Sequence, residues 1–282
     1  MLTIFQIEVT SRCNMACSFC PHPTMTRPKK DMTVQTFKAC KRSLRPGQTV
    51  GMHMVGEPLL HPRLLEWADE ISYDGRLLCK AEINTNGLLL TQENINRILG
   101  SALVGMTVDV TPDKGPYELL EKVVAGVHRM LRTDFPFLRV QVVRHKNSPP
   151  YPEIIQDLRD EIALCENTEF VEKFLDTWAG SVEWSMDRTN VSVPEVRSLC
   201  PEPWNRVSIL QNGDVVPCCR DAHGEYVYGN INDMTLDEIE DTSPKLRELR
   251  LLMIRKQWHL LPEPCKSCRE WHIPMDRSVF QP

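Results

Sequence analysis

From Phe5 to about Trp178, short runs of apolar and often β-branched residues alternate with longer segments whose apolar side chains recur three and four positions apart. A strand covered on both faces reads as such a short run, and a helix lying on a sheet buries only one stripe. The alternation therefore predicts β-α units along a parallel sheet. Six strands are expected, over 5–10, 50–55, 79–84, 104–110, 137–144 and 170–175, with helices near 33–44, 62–73, 91–99, 116–131 and 152–164. Thr91 suits the N-cap of the third helix, where its hydroxyl accepts from an unpaired backbone N–H, and Gly100 suits the C-cap. The chain has no self-similar period and no low-complexity segment.

Between 180 and 198 the alternation lapses into a polar stretch. After it, 206–210 and 214–216 read as the arms of a hairpin closed by Asn212-Gly213, a favourable two-residue turn. A helix is expected to start near Thr235 and another to run near 244–256, followed by a Pro-rich loop before Cys265. In the second of these helices Leu246, Leu249, Leu252 and Met253 recur at helical spacing, so its Lys and Arg residues form a solvated face. The expected organisation is an α/β unit over 1–180, then a linker and a small cysteine-rich unit with a hairpin and helices over 181–282.

Composition mainly excludes. The chain of 282 residues is 41% hydrophobic and 25% charged, with a formal charge of −5 and no apolar run long enough for a membrane span. Its start lacks the basic, then apolar, pattern of a signal peptide, so a cytoplasmic location is expected. Neither a nucleic-acid partner nor a membrane is expected, since Lys29-Lys30 is too short for a phosphate-binding patch. The cysteine count is different in kind: eleven, an odd number, seven of them in short-spaced groups. Metal ligation explains that better than disulfides.

Cys13, Cys17 and Cys20 form C-x3-C-x2-C just after the first expected strand, where a loop at the sheet edge can wrap around a small inorganic cluster. Three ligands for a four-iron cube leave one iron open. Structural zinc needs a fourth ligand, for which His22 is the nearby candidate. This spacing, with the aromatic Phe19 before the third cysteine, resembles the radical S-adenosylmethionine (SAM) superfamily. The resemblance implies a partial (β/α)6 barrel and a [4Fe–4S] cluster whose open iron chelates SAM. It also implies reductive cleavage of SAM to a 5′-deoxyadenosyl radical that abstracts a substrate hydrogen, and an electron donor such as a flavodoxin or ferredoxin. Gly56-Glu57-Pro58 resembles the family's segment for the SAM amino group, Thr107 and Asp109 its contact to the ribose hydroxyls, and Arg144 is placed to pair with the SAM carboxylate. By themselves, Gly-Glu-Pro is a turn and the strand-terminal Thr, Asp and Arg are ordinary solvated or structural groups. Thr85-Asn86-Gly87 also occurs in the family, but Asn-Gly is a turn signal in any protein.

Four further thiols come from three segments: Cys200, Cys218, and the pair Cys265 and Cys268. A zinc ribbon is one reading of four cysteines with a hairpin. C-x12-G-x4-C with Gly213, and Gly229-Asn230-Ile231, resemble the SPASM extension or its shorter twitch form, which implies a second, auxiliary [4Fe–4S] cluster, fully ligated and suited to moving an electron. Of the remaining cysteines, Cys40 and Cys165 are expected in helices and Cys79 at the start of a strand, all as packing residues. Cys219 is open between a substitute ligand, a packing residue and a hydrogen-atom donor in catalysis.

In layout the chain resembles aminocyclitol-oxidising enzymes of the 2-deoxy-scyllo-inosamine dehydrogenase type. That implies a hydroxylated small-molecule substrate, an aminoglycoside, aminocyclitol or sugar, undergoing dehydrogenation or epimerisation. Modification of a ribosomally made precursor peptide is the alternative; the position of Cys13 leaves no room before it for a leader-binding domain, which favours the small molecule. A third reading is a non-catalytic electron-transfer or zinc-binding scaffold. Glu82, His53 and His145 are candidate general bases.

Overall fold

In the computed structural model, residues 4–110, 117–144, 150–174, 178–179, 181–182 and 195–271 are described. The six expected strands form: β1 (Ile4–Ile7), β2 (Thr49–Gly51), β3 (Lys80–Thr85), β4 (Leu103–Val110), β5 (Leu138–Arg144) and β6 (Thr168–Phe174). They pair in parallel in sequence order. The connections carry α1 (Val34–Ser43), α2 (Leu64–Ser72), α3 (Gln92–Leu99), α4 (Tyr117–Leu131) and α5 (Glu153–Ile162). The parallel sheet is the one the six units predict, and the architecture is the α/β partial barrel that the resemblance implies. In the C-terminal part lie α6 (Glu202–Asn205), β7 (Arg206–Ile209), β8 (Asp214–Val216), β9 (Gly229–Asn230), α7 (Leu236–Thr242) and α8 (Pro244–Ile254).

The hairpin joins the main sheet. β7 lies parallel beside β1, Phe5 opposite Val207 and Gln6 opposite Ser208, and β8 and β9 continue antiparallel to give nine strands in the order β6-β5-β4-β3-β2-β1-β7-β8-β9. Alternation explains the match, because Val207 and Ile209 bury on the side where Phe5 and Ile7 do. The turn needs its glycine: Gly213 has φ +95, and a Cβ there would stand 2.3 Å from Asn232 Nδ2.

The two faces of the sheet differ in chemistry. Ile7, Val50, Ile83, Met106, Val108 and Val140 point to the helices and join one apolar core, in which Phe37 and Trp67 stack with centroids 4.2 Å apart. On the opposite face the register aligns Ser208, Gln6, Gly51 and Glu82 in one row, Asn84, Thr107 and Arg139 in the next, and Asp109 with Gln141 beyond. Gln6, Glu82, Thr107, Gln141 and Ser208 are buried polar groups.

Several boundaries moved. β1 and β2 end at Ile7 and Gly51, short of the expected 10 and 55, because the chain leaves the sheet there to build loops: Thr10 bridges to Asp31, and a 3-10 turn follows at Pro58–Leu60. Cys165 lies beyond the end of α5, half-buried, while Cys40 and Cys79 are buried as expected. Thr91 caps α3 by accepting from Asn94 N–H; Gly100 is the C-cap, but at φ −84 it uses none of glycine's extra freedom. In α8, Leu246, Leu249 and Met253 are buried and the charges face out.

Candidate cluster and cofactor sites

The loop from Ser11 to Cys20 is held at both ends. At its start, Arg12 grips Asp31 with two hydrogen bonds of 2.9 Å and donates a third, also 2.9 Å, to the Leu60 carbonyl, while Thr10 Oγ1 bonds Asp31 at 2.7 Å. Cys13, Cys17 and Cys20 are all half-buried, with Phe19 half-buried between the last two. Burial pushes the Cys20 thiol up to about 12, and the charges of Cys17, Cys13 and Asp109 raise it further, so the three thiols and the β4 carboxylate share one electrostatic neighbourhood. The Asn86 amide donates to Asn14 Oδ1 at 2.7 Å and stands 3.8 Å from Cys13 Sγ, a donor suited to a ligating thiolate. His22, weighed as a fourth zinc ligand, is buried, with Nε2 3.1 Å from the Ser11 carbonyl.

Gly56-Glu57-Pro58 meets this loop from the side. A Cβ on Gly56 would stand 2.2 Å from Thr10 O and 2.7 Å from Arg12 O, main-chain atoms that a side chain cannot displace. Glu57 is buried: its carboxylate accepts from Thr85 Oγ1 at 2.8 Å, Asn86 N at 2.8 Å and Leu59 N at 3.0 Å, and its own N–H donates to Arg12 O at 2.8 Å. Glu57 thus clamps the loops after β1, β2 and β3 together with both carboxylate oxygens already engaged. Pro58 is buried at the start of the 3-10 turn. Gly56→Ala is expected to cost about 1–3 kcal/mol through forced overlap and to lower iron bound at Cys13, Cys17 and Cys20. Chemical denaturation and iron assay check this, and unchanged values in both would show that the loop has room.

Thr107 is buried on the polar face, and Asp109, half-buried, accepts from Gln141 Nε2 at 2.7 Å. Arg144 ends β5 opposite Phe174; its side chain lies outside the described residues, as does His145. Of the other candidate bases, Glu82 is buried on the polar face, and His53 is pushed down to about 3 by burial and by Arg206 and Lys173. His53 is therefore neutral at pH 7 and too weak a base to compete for a carbinol proton.

The second thiol set borders a partly open cavity. Cys200, Cys218, Cys265 and Cys268 line it together with Arg197 and Arg220. Arg197 also holds the cysteine loop, donating to Cys265 O at 2.6 Å and Lys266 O at 3.1 Å. Burial raises all four thiols, and Arg220 opposes it at Cys200, Cys218 and Cys268, so ligation here would release protons. Four thiols around one cavity are the number that a fully ligated iron–sulfur cluster takes. Among the described residues no three His, Cys, Asp or Glu side chains are grouped to hold a metal ion. Cys219 is not among the residues lining this cavity; the charges acting on it belong to Arg206, Arg220, Glu202 and Lys173.

Two features had no counterpart in the expectations. Arg27, seven residues past Cys20, makes a buried ion pair with Glu8 at 2.5 Å and donates to Gln211 Oε1 at 2.9 Å and Ala222 O at 2.6 Å. Arg206 pairs with Glu202 at 2.6 Å and bonds Gln6 at 3.1 Å, while its Nη2, Ser208 Oγ and His53 Nδ1 are buried without a hydrogen-bond partner among the described residues.

Thiols on the loop after the first strand of a parallel α/β sheet, and four more around a second cavity, place the chain among α/β proteins with two thiol sites. Comparison with known proteins supplies the family. Residues 7–144 match the Radical SAM superfamily and residues 200–269 match SPASM, an iron-sulfur cluster-binding domain. The chain thus carries a radical SAM domain and a SPASM domain; the first implies SAM and a [4Fe–4S] cluster, the second auxiliary iron–sulfur binding. It is 25% identical to the tungsten-containing aldehyde ferredoxin oxidoreductase cofactor-modifying protein of Pyrococcus furiosus, over 84% of this chain and 78% of that one. It is 21% identical to the S-adenosyl-L-methionine-dependent 2-deoxy-scyllo-inosamine dehydrogenase of Niallia circulans, over 99% and 97%. Among solved structures, BtrN in complex with AdoMet and 2-DOIA superposes with a TM-score of 0.65 at 19% identity, covering 95% of this chain and 93% of that one. SuiB of Streptococcus suis bound to precursor peptide SuiA gives 0.64 at 14%, covering 89% and 67%. Among the described residues no helix is long and apolar enough to cross a membrane.

Proposed function

We propose that this chain abstracts a hydrogen atom from a carbinol carbon of a hydroxylated small molecule, of the aminoglycoside, aminocyclitol or sugar type, giving a ketone or an epimer. When bound, SAM and a four-iron cluster with an open iron supply a 5′-deoxyadenosyl radical for that abstraction. Cys13, Cys17 and Cys20 would hold the cluster, Asn86 would orient Cys13, and Gly56 would bring the neighbouring loop close enough to offer its carbonyls to the SAM ammonium, the Glu57 carboxylate being engaged elsewhere. Thr107 and Asp109 would meet the ribose hydroxyls, with Gln141 fixing the Asp109 carboxylate. Cys200, Cys218, Cys265 and Cys268 would hold an auxiliary cluster that takes the electron released in dehydrogenation.

The observation that carries the small-molecule reading is the polar face with its unmet hydrogen-bonding capacity at Arg206, Ser208 and His53. The Arg206 charge is balanced by Glu202 and His53 is neutral, so these groups suit hydroxyls better than a charged ligand. For epimerisation, Cys219 would return a hydrogen atom to the substrate radical, leaving a thiyl that one electron and one proton restore. Precursor-peptide modification is the second reading, supported by the likeness to SuiB.

The test is product analysis with 2-deoxy-scyllo-inosamine and related polyols, using anaerobically reconstituted protein, SAM and reductant. Loss of two hydrogens indicates dehydrogenation; unchanged mass with deuterium gained from heavy water indicates epimerisation, in which case Cys219→Ala should stop deuterium uptake while 5′-deoxyadenosine still forms. Polyols left intact while a precursor peptide is modified would overturn the reading.

A further inference from the structure

Tyr226 and Tyr228 stand two residues apart before β9, with rings edge to face at 5.9 Å, yet their hydroxyls are treated differently. Tyr226 donates to Lys245 O at 3.0 Å. The Tyr228 hydroxyl is buried and has no hydrogen-bond partner among the described residues. An orphan phenol of this kind costs about 1–3 kcal/mol relative to a satisfied one, and phenylalanine would fill the same space without that cost.

The residue is also fixed in place. Tyr228 N–H donates to Val215 O at 2.8 Å across the sheet, and Ser243 Oγ donates to Tyr228 O at 2.8 Å. Its ring packs on the same apolar group of Tyr226, Leu249, Met253 and Leu261 that receives Cys200 and Cys265. The thiols of Cys265 and Cys218 are its leading electrostatic neighbours, and burial holds the phenol protonated, so its O–H remains a donor.

We propose that Tyr228 donates its hydroxyl hydrogen bond to a sulfur of the iron–sulfur cluster held by Cys200, Cys218, Cys265 and Cys268, and thereby raises that cluster's reduction potential. The proposal rests on the reading that these four cysteines hold a cluster. Reduction adds negative charge that spreads onto the sulfurs, so a donor aimed at sulfur favours the reduced state, and hydrogen bonds to sulfur are among the determinants of cluster potential. A readier electron acceptor beside the barrel would draw substrate oxidation forward.

Tyr228→Phe tests this with three readouts. Without metal, the variant should be at least as stable to denaturant as the native chain, because the orphan hydroxyl is gone. After reconstitution, iron and sulfide should match native. In a redox titration followed by electron paramagnetic resonance, the reduced-to-oxidised ratio of the auxiliary signal at the native midpoint should fall about fivefold, the equivalent of one net hydrogen bond of about 1 kcal/mol. The N-terminal signal, recognised by its response to added SAM, should not move. An unchanged or raised auxiliary potential overturns the proposal, as does a metal-free variant less stable than native, which would make the hydroxyl structural. Native protein that binds iron only at the N-terminal site would instead overturn the cluster reading beneath it.

Discussion

Arg27→Met is expected to lose about 3–5 kcal/mol of folding stability, the usual consequence of removing one partner of a buried ion pair. The Glu8 side chain is fully buried and the Arg27 side chain is 9% exposed, so the carboxylate left behind cannot be rehydrated without opening the structure. Gln211 N–H, 3.2 Å from Glu8, is too weak a replacement for a guanidinium. Arg27→Met with Glu8→Gln removes the stranded charge and should recover part of the loss. Denaturant unfolding of both variants measures this; a single variant costing under about 1 kcal/mol would mean that the pair behaves as a surface one. The effect should reach the cluster loop, because Ala222, whose carbonyl Arg27 holds, packs with Met25 and Val55 in a group that includes Cys20. Iron at the N-terminal site should therefore fall along with stability.

That latch also marks where the sequence stops being readable. Strands and crossover helices follow from local alternation, and Cys13, Cys17, Cys20 and the Cys265–Cys268 pair announce themselves by spacing. Arg27 sits in a polar loop before Lys29-Lys30 and looks solvated; its partners Gln211 and Ala222 lie 184 and 195 residues away, and no local pattern encodes such pairing. For the same reason the sequence of β7 reads as a hairpin arm and not as the neighbour of β1, since hairpin pairing is local and the β1–β7 register is not. The polar face was legible in principle. Gln6 and Glu8, Glu82 and Asn84, Thr107 and Asp109, and Arg139 and Gln141 fall two apart inside strands otherwise apolar, a period that signals a polar interior. The carboxylate of Glu57 shows the opposite limit: a motif can place a residue correctly while the fold engages its side chain elsewhere.

Cys13→Ala is expected to reduce 5′-deoxyadenosine formation to background, whereas Cys265→Ala should keep SAM cleavage and lose the coupled substrate product. The difference follows from geometry. Cys13 belongs to the loop clamped by Glu57, Asn86 and Asp31, and two thiols are too few to hold a cluster with one iron left open for SAM. Cys265 belongs to the separate cavity with Cys200, Cys218 and Cys268, where Arg197 fixes the loop through backbone carbonyls that survive the substitution. Quantifying 5′-deoxyadenosine and substrate product in one anaerobic assay separates the two outcomes. If Cys265→Ala also stopped SAM cleavage while iron remained at the N-terminal site, the auxiliary site would be acting upstream of the radical, as a conduit for the electron that starts the reaction. Asp221 N–H donates to Cys218 O at 3.1 Å, and the next residue, Ala222, is bonded by Arg27 and packs in the group with Cys20; such dependence would run along this stretch, and Arg27→Met in the same assay would then show the same defect.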